Sequence, residues 1–179
     1  MRILLLGGSK SGKSGYAQEL VSRLARGGVK YYWATMEPSD NEDEARIAKH
    51  LEDRAGMGFS TIERGRNVQG YQGSLEGASV LFDSVTALLA NEMFGSEFDA
   101  AAPERVAEEL SELSKRCENF VCVCDRLFEG GEEYGDWTEN YVRGLASICR
   151  RSASEFDAVL KVVCGIPRFI KGEEHARLL

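Results

Sequence analysis

The sequence has no long hydrophobic run, no excess of basic charge, no paired-cysteine spacing and little histidine, and each shortage excludes a class of protein. The first apolar stretch, Ile3 to Leu6, leads straight into glycines. It falls far short of the roughly 20 apolar residues that span a membrane, and it is too brief for the core of a signal peptide. We therefore expect a soluble, cytoplasmic protein. Basic residues number 22 against 29 acidic ones, a net charge of −7. With no basic patch interleaved with aromatics, that balance argues against nucleic acid or an anionic membrane as partner. The five cysteines, Cys117, Cys122, Cys124, Cys149 and Cys164, form an odd set without a Cys-x-x-Cys pair, so neither a disulfide framework nor a zinc site is expected. Cys122 and Cys124 alternate within one apolar run and read as small core residues on the same side of a strand. Of the two histidines, His175 lies in a polar C-terminal stretch, which leaves His50 as the candidate for histidine chemistry.

What is present is an alternation of two periods. Apolar, β-branched-rich runs recur at Arg2–Leu6, Lys30–Ala34, Ser79–Phe82, Phe120–Cys124 and Val159–Cys164, with helical patterns between most of them. This order predicts an α/β fold around a mostly parallel sheet. The first helix should open in the glycine-rich segment and run to Arg26, because Tyr16, Ala17, Leu20, Val21 and Leu24 share a face, with Gly27 and Gly28 stopping it. Further helices are predicted over Asn41–Arg54, Ser84–Met93, Pro103–Arg116 and Thr138–Ser152. The glycine-rich stretch Gly56–Gly77 reads as loop with one short strand near Ser60–Glu63, and Glu129–Asp136 as an acidic, solvated loop. With 43% hydrophobic residues in 179, one core is expected: a single domain over 1–172 and a polar tail over 173–179.

The segment Gly7-Gly8-Ser9-Lys10-Ser11-Gly12-Lys13-Ser14 satisfies G-x-x-x-x-G-K-[ST] and stands where that motif must, between a strand and an amphipathic helix. The glycines let successive amide N–H groups turn toward phosphate oxygens, and the helix N-terminus adds partial positive charge. Lys13 should reach the terminal phosphates of ATP or GTP, and the Ser14 hydroxyl suits Mg²⁺. A P-loop also needs a carboxylate at the end of a neighbouring strand to hold the metal. Asp83 and Asp125 both qualify, and Asp83 is preferred. On the predicted second helix, spacing by four aligns Arg46, His50 and Arg54. Such a face is either a solvated, charge-paired surface or an imidazole nucleophile flanked by phosphate-binding guanidiniums.

In these motifs, together with Tyr32-Trp33-Ala34-Thr35, Asp43-Glu44-Ala45-Arg46-Ile47, Thr61-Ile62-Glu63, Asn91, Gly165-Ile166-Pro167 and Ile170-Lys171-Gly172, the sequence resembles the bifunctional adenosylcobinamide kinase and adenosylcobinamide-phosphate guanylyltransferase family of cobalamin synthesis. The resemblance implies a RecA-like P-loop domain, assembled as a homo-oligomer, usually a trimer. It also implies two successive reactions: phosphorylation of adenosylcobinamide by ATP or GTP, then GMP transfer from GTP through a histidine at the position of His50. It makes Ala34, Thr35, Glu63 and Asp83 guanine-nucleotide contacts, with Lys13, Arg46 or Arg54 relieving phosphate charge. The C-terminal half departs from the family, carrying Asp125-Arg126 where Asn-Glu is usual. A single-activity P-loop kinase and a nucleotide-dependent regulatory binding module are the alternative readings of the same loop.

Overall fold

The computed structural model describes residues 1–38, 52, 54–127 and 135–177. The elements run in the order β1 (Arg2–Gly7), α1 (Lys13–Ala25), β2 (Lys30–Ala34), β3 (Phe59–Glu63), β4 (Ser79–Asp83), α2 (Val85–Met93), α3 (Ala102–Lys115), β5 (Asn119–Asp125), α4 (Asp136–Glu155), β6 (Ala158–Val163) and β7 (Ile166–Lys171), with short 3-10 turns at Val68–Gly70 and Glu173–His175. The strands form one sheet in the order β3-β2-β4-β5-β1-β6-β7. All neighbours are parallel except the β6–β7 pair, so the C-terminal ends of β1 to β5 open on one edge.

Side-chain alternation explains why both faces are covered. On one face Leu4, Trp33, Val80, Phe82, Phe120, Cys122 and Cys124 pack with residues of α2, α3 and α4. On the other, Ile3, Leu5, Tyr32, Leu81, Val121 and Val123 meet Ala17, Leu20 and Val21 of α1. Strands buried on both sides read as continuous apolar runs, which is why Arg2–Leu6 and Phe120–Cys124 stand out in the sequence. Cys122 and Cys124 do share a buried face.

Helix α1 ends where expected: Arg26 and Gly27 adopt left-handed backbone (φ 48° and 86°), and Gly28 N–H caps Ala25 O at 2.7 Å. The helix predicted from Thr138 begins two residues sooner, at Asp136, with Asp136 and Glu139 in its first turn, where acidic groups favour the helix dipole. The predicted helix Asn41–Arg54 lies outside the described residues except for Glu52, which is helical, and Arg54, in the turn that follows. Most of the acidic loop Glu129–Asp136 likewise lies outside them. Strand β7 has no counterpart among the expected elements. It is an edge strand with Ile166 and Ile170 exposed, and an edge tolerates Pro167, which would break an interior strand.

Candidate active site

The P-loop leaves β1 at Gly7 and returns into α1 at Lys13. Ser11 N–H closes a turn on Gly8 O at 3.2 Å, and Tyr16 N–H takes up Gly12 O at 3.1 Å. Gly12 has φ +85°, a conformation that side chains resist, and a Cβ there would come within 3.1 Å of Gly165 Cα. A Cβ on Gly7 would meet Ser11 Oγ at 2.5 Å. Gly12 is therefore demanded by the backbone of the turn, and Gly7 by the room that the Ser11 side chain and Val162 O leave beside it. The loop is braced from outside by Arg126 N–H on Gly7 O (3.1 Å) and Gly165 N–H on Ser11 O (2.8 Å). The second contact accounts for Gly165, which the sequence marked only by resemblance.

Lys13 Nζ lies 2.7 Å from Asp125 Oδ1 and donates to Gly8 O at 3.2 Å. Asp125 is thus the partner of Lys13 rather than of a distant group, and it stands in register with Gly7 on the neighbouring strand. Ser11 Oγ is buried with no hydrogen-bond partner among the described residues. A buried hydroxyl is seldom left so, and a phosphate oxygen at this loop is the kind of acceptor that would complete it.

Register assembles the second half of the site. Ala34 pairs with both Glu63 and Asp83, and Tyr32 pairs with both Thr61 and Leu81, so these side chains share the α1 side of the sheet. Helix α1 packs chiefly over β4 and β5 and leaves the outer end of that face open. There a cavity of about 540 Å³ is lined by Tyr32, Ala34, Arg54, Thr61, Glu63 and Asp83, among others. This is the size of a small-molecule site. The Tyr32 hydroxyl donates to Asp83 Oδ2 at 2.9 Å, and the Arg54 guanidinium carbon lies 3.4 Å from the centre of the Tyr32 ring. Burial, reinforced by the Asp83 charge, pushes the Tyr32 phenol well above its ordinary range, so it remains a donor.

Of the residues predicted to contact nucleotide, Ala34, Arg54, Glu63 and Asp83 meet in this cavity. Thr35 does not line it. Its side chain is fully buried, and Oγ1 donates to Ser84 O (2.8 Å) while accepting Ser84 N–H (2.7 Å), which locks the end of β2 to the start of α2. Gly7 to Ser14 form the separate loop at β1, with β5 between β1 and β4. His50 and Arg46 lie outside the described residues. Two residues that sequence reasoning left without a role hold the cavity wall. Asn91 Nδ2 donates to Thr35 O (2.7 Å) and Gly65 O (3.0 Å), and Trp33 Nε1 donates to Arg64 O (2.9 Å). The signal for Asn91 is an amide that follows the apolar run Ala87–Ala90 inside a helix.

Among the described residues no three His, Cys, Asp or Glu side chains cluster as a metal cage. Of the two metal donors expected from the sequence, Ser14 stands in the first turn of α1 and the Asp83 carboxylate lines the cavity at the end of β4. An all-oxygen pair of this kind fits Mg²⁺, which keeps several waters and fills its shell with substrate phosphates.

A mostly parallel sheet with a phosphate loop between its first strand and first helix defines a P-loop NTPase fold. Solved structures agree. The flagellar accessory protein FlaH from Methanocaldococcus jannaschii superposes with a TM-score of 0.54 at 13% identity, over 95% of this chain and 77% of that one. A prototypical ATPase from the type III secretion system of pathogenic bacteria does so with a TM-score of 0.51 at 13% identity, over 89% of this chain and 50% of that one. At such identities the likeness speaks for the fold alone. Sequence goes further. The pattern of the CobU family, cobinamide kinase / cobinamide phosphate guanyltransferase, matches residues 3–170. The chain is also 30% identical over 176 residues to the bifunctional adenosylcobalamin biosynthesis protein CobP of Pseudomonas aeruginosa, covering 97% of this chain and 99% of that protein. The chain belongs to the CobU family and is an enzyme of the kinase and guanylyltransferase class.

Proposed function

We propose that this enzyme phosphorylates adenosylcobinamide with ATP or GTP held at Gly7–Ser14, then transfers GMP from GTP to adenosylcobinamide phosphate through a covalent GMP on His50. It would act in the cytoplasm as a homo-oligomer. The observation that carries the reading is the cavity beyond the P-loop, where Arg54 meets the Glu63 and Asp83 carboxylates at the C-terminal ends of β3 and β4. Glu63 is suited to accept hydrogen bonds from guanine N1–H and the exocyclic amine, donors that adenine does not offer in that arrangement. Arg54 is suited to phosphate oxygens.

In the first half-reaction an imidazole nitrogen of His50 attacks the α-phosphorus of GTP. A P–N bond forms, the bond to the bridging oxygen breaks, and pyrophosphate leaves. In the second, a phosphate oxygen of the acceptor attacks the same phosphorus and the P–N bond breaks, returning neutral histidine. Two displacements replace one, and each develops negative charge that Lys13, Arg46 and Arg54 relieve. Mg²⁺, which Ser14 and Asp83 would hold, neutralises phosphate charge when bound. Exchange of labelled pyrophosphate into GTP in the absence of corrinoid tests the scheme. A covalent route exchanges label without acceptor, and a direct transfer does not.

A further inference from the structure

Tyr32 has no assigned part in either reaction, yet it touches two of the charged groups on the cavity wall, Arg54 and Asp83. It lies on β2 in register with Thr61 and Leu81 and is only 5% exposed. Its ring carries the Arg54 guanidinium at 3.4 Å, and its hydroxyl donates to Asp83 at 2.9 Å. Arg54 is itself only 7% exposed, lines the cavity, and leaves Nη1 buried without a hydrogen-bond partner among the described residues. A desolvated guanidinium with an unused donor is costly. Its orientation is held by an aromatic face, which attracts the cation through its electron cloud and leaves Nη1 unspent. A carboxylate in the same place would have neutralised the arginine and occupied its fork.

From this arrangement we infer that Tyr32 is a positioning residue for the guanylyl site: its ring presets the Arg54 guanidinium so that Nη1 is kept for an oxygen of the nucleotide's α-phosphate. The inference rests on the nucleotide reading of the cavity and adds how the phosphate subsite is built. The ring, not the hydroxyl, does the positioning. Removing the aromatic face therefore weakens recognition of the phosphate and leaves recognition of the base largely alone, whereas a residue needed only for packing would weaken both together.

Calorimetry on the full chain, with pyrophosphate saturating the P-loop, compares GMP with guanosine in wild type, Tyr32→Phe and Tyr32→Leu. Wild type should prefer GMP. Tyr32→Phe should keep that preference within about threefold, and Tyr32→Leu should lower it about tenfold while guanosine affinity moves less than about threefold. In an Arg54→Gln background, Tyr32→Leu should change the preference no further, because the two residues act as one unit. The inference is overturned if Tyr32→Leu keeps the wild-type preference, if Tyr32→Phe loses it as fully as Tyr32→Leu, or if the effect persists without Arg54. Should Tyr32→Leu not fold, Tyr32→Met, which keeps bulk without an aromatic face, takes its place with the same expected and overturning results. Wild type that binds neither guanosine nor GMP overturns the nucleotide reading itself, an outcome distinct from a loss of preference confined to the variants.

Discussion

Replacing Asp125 with asparagine separates two roles a carboxylate can have beside a P-loop lysine. Lys13 Nζ is 2.7 Å from Asp125 Oδ1, and the two side chains are 11% and 28% exposed, which places the pair between a surface bridge and a buried one. At an effective dielectric constant near 20 the gross attraction is about 4–6 kcal/mol. Desolvation offsets most of that and leaves about 1–2 kcal/mol net. A phosphate arriving at the loop competes for the same ammonium, so this energy opposes nucleotide binding. Asp125→Asn should lower the melting temperature by about 2–8 °C. It should also tighten binding of a non-hydrolysable triphosphate by about 5- to 30-fold, the same 1–2 kcal/mol no longer being surrendered. Thermal melts and calorimetry in Mg²⁺ read both. Weaker triphosphate binding with an unchanged melting temperature would refute the reasoning, because it would mean that Asp125 contacts the ligand or its metal instead of competing with it.

Asn91→Ala strands the carbonyls of Thr35 and Gly65; at roughly 1 kcal/mol each, with some loss of packing, it should cost about 2–3 kcal/mol and about 4–12 °C in thermal melts. Asn91→Asp should not rescue it, since a carboxylate has no N–H to donate. Glu109 is buried beneath the Val68–Gly70 turn and accepts Val68 N–H at 3.0 Å. Burial first, and then the Glu92 charge, raise its pKa above the usual 4.5. The folded state therefore keeps a proton that the unfolded chain has already released, and Glu109 lowers stability as pH rises through the window just above 4.5. Glu109→Gln should raise the urea midpoint near pH 8 and give no advantage below about pH 4.

How much is legible in the sequence follows from what each feature depends on. The central strands read as apolar runs because burial on both faces makes a strand apolar throughout, and β3 shows only as a short β-branched stretch inside a glycine-rich loop. The remaining strand, β7, carries Pro167 and two exposed isoleucines and is recognisable only once β6 is there to pair with it. The P-loop is legible because its constraints are local: the positive φ of Gly12 and the crowding at Gly7 belong to eight consecutive residues. The cavity is not legible from residues alone. Ala34, Glu63 and Asp83 meet through strand register, and the Tyr32–Arg54 stack joins a strand to a residue well beyond it in the sequence. Resemblance supplies the site names without the geometry, which is why Thr35 stands beside the others although its side chain turns inward to Ser84. Nor can pattern reveal that Asp125 answers Lys13, because strand order puts β5 beside β1 only in three dimensions.

The central claim, a guanylylated histidine, is tested most directly by intact-mass measurement of the protein after incubation with GTP and Mg²⁺ without corrinoid. The account predicts a mass increase of one GMP residue that is lost in mild acid, maps to the peptide containing His50, and is absent from His50→Ala. An unmodified mass in a protein that still converts adenosylcobinamide phosphate to its GDP derivative would contradict it.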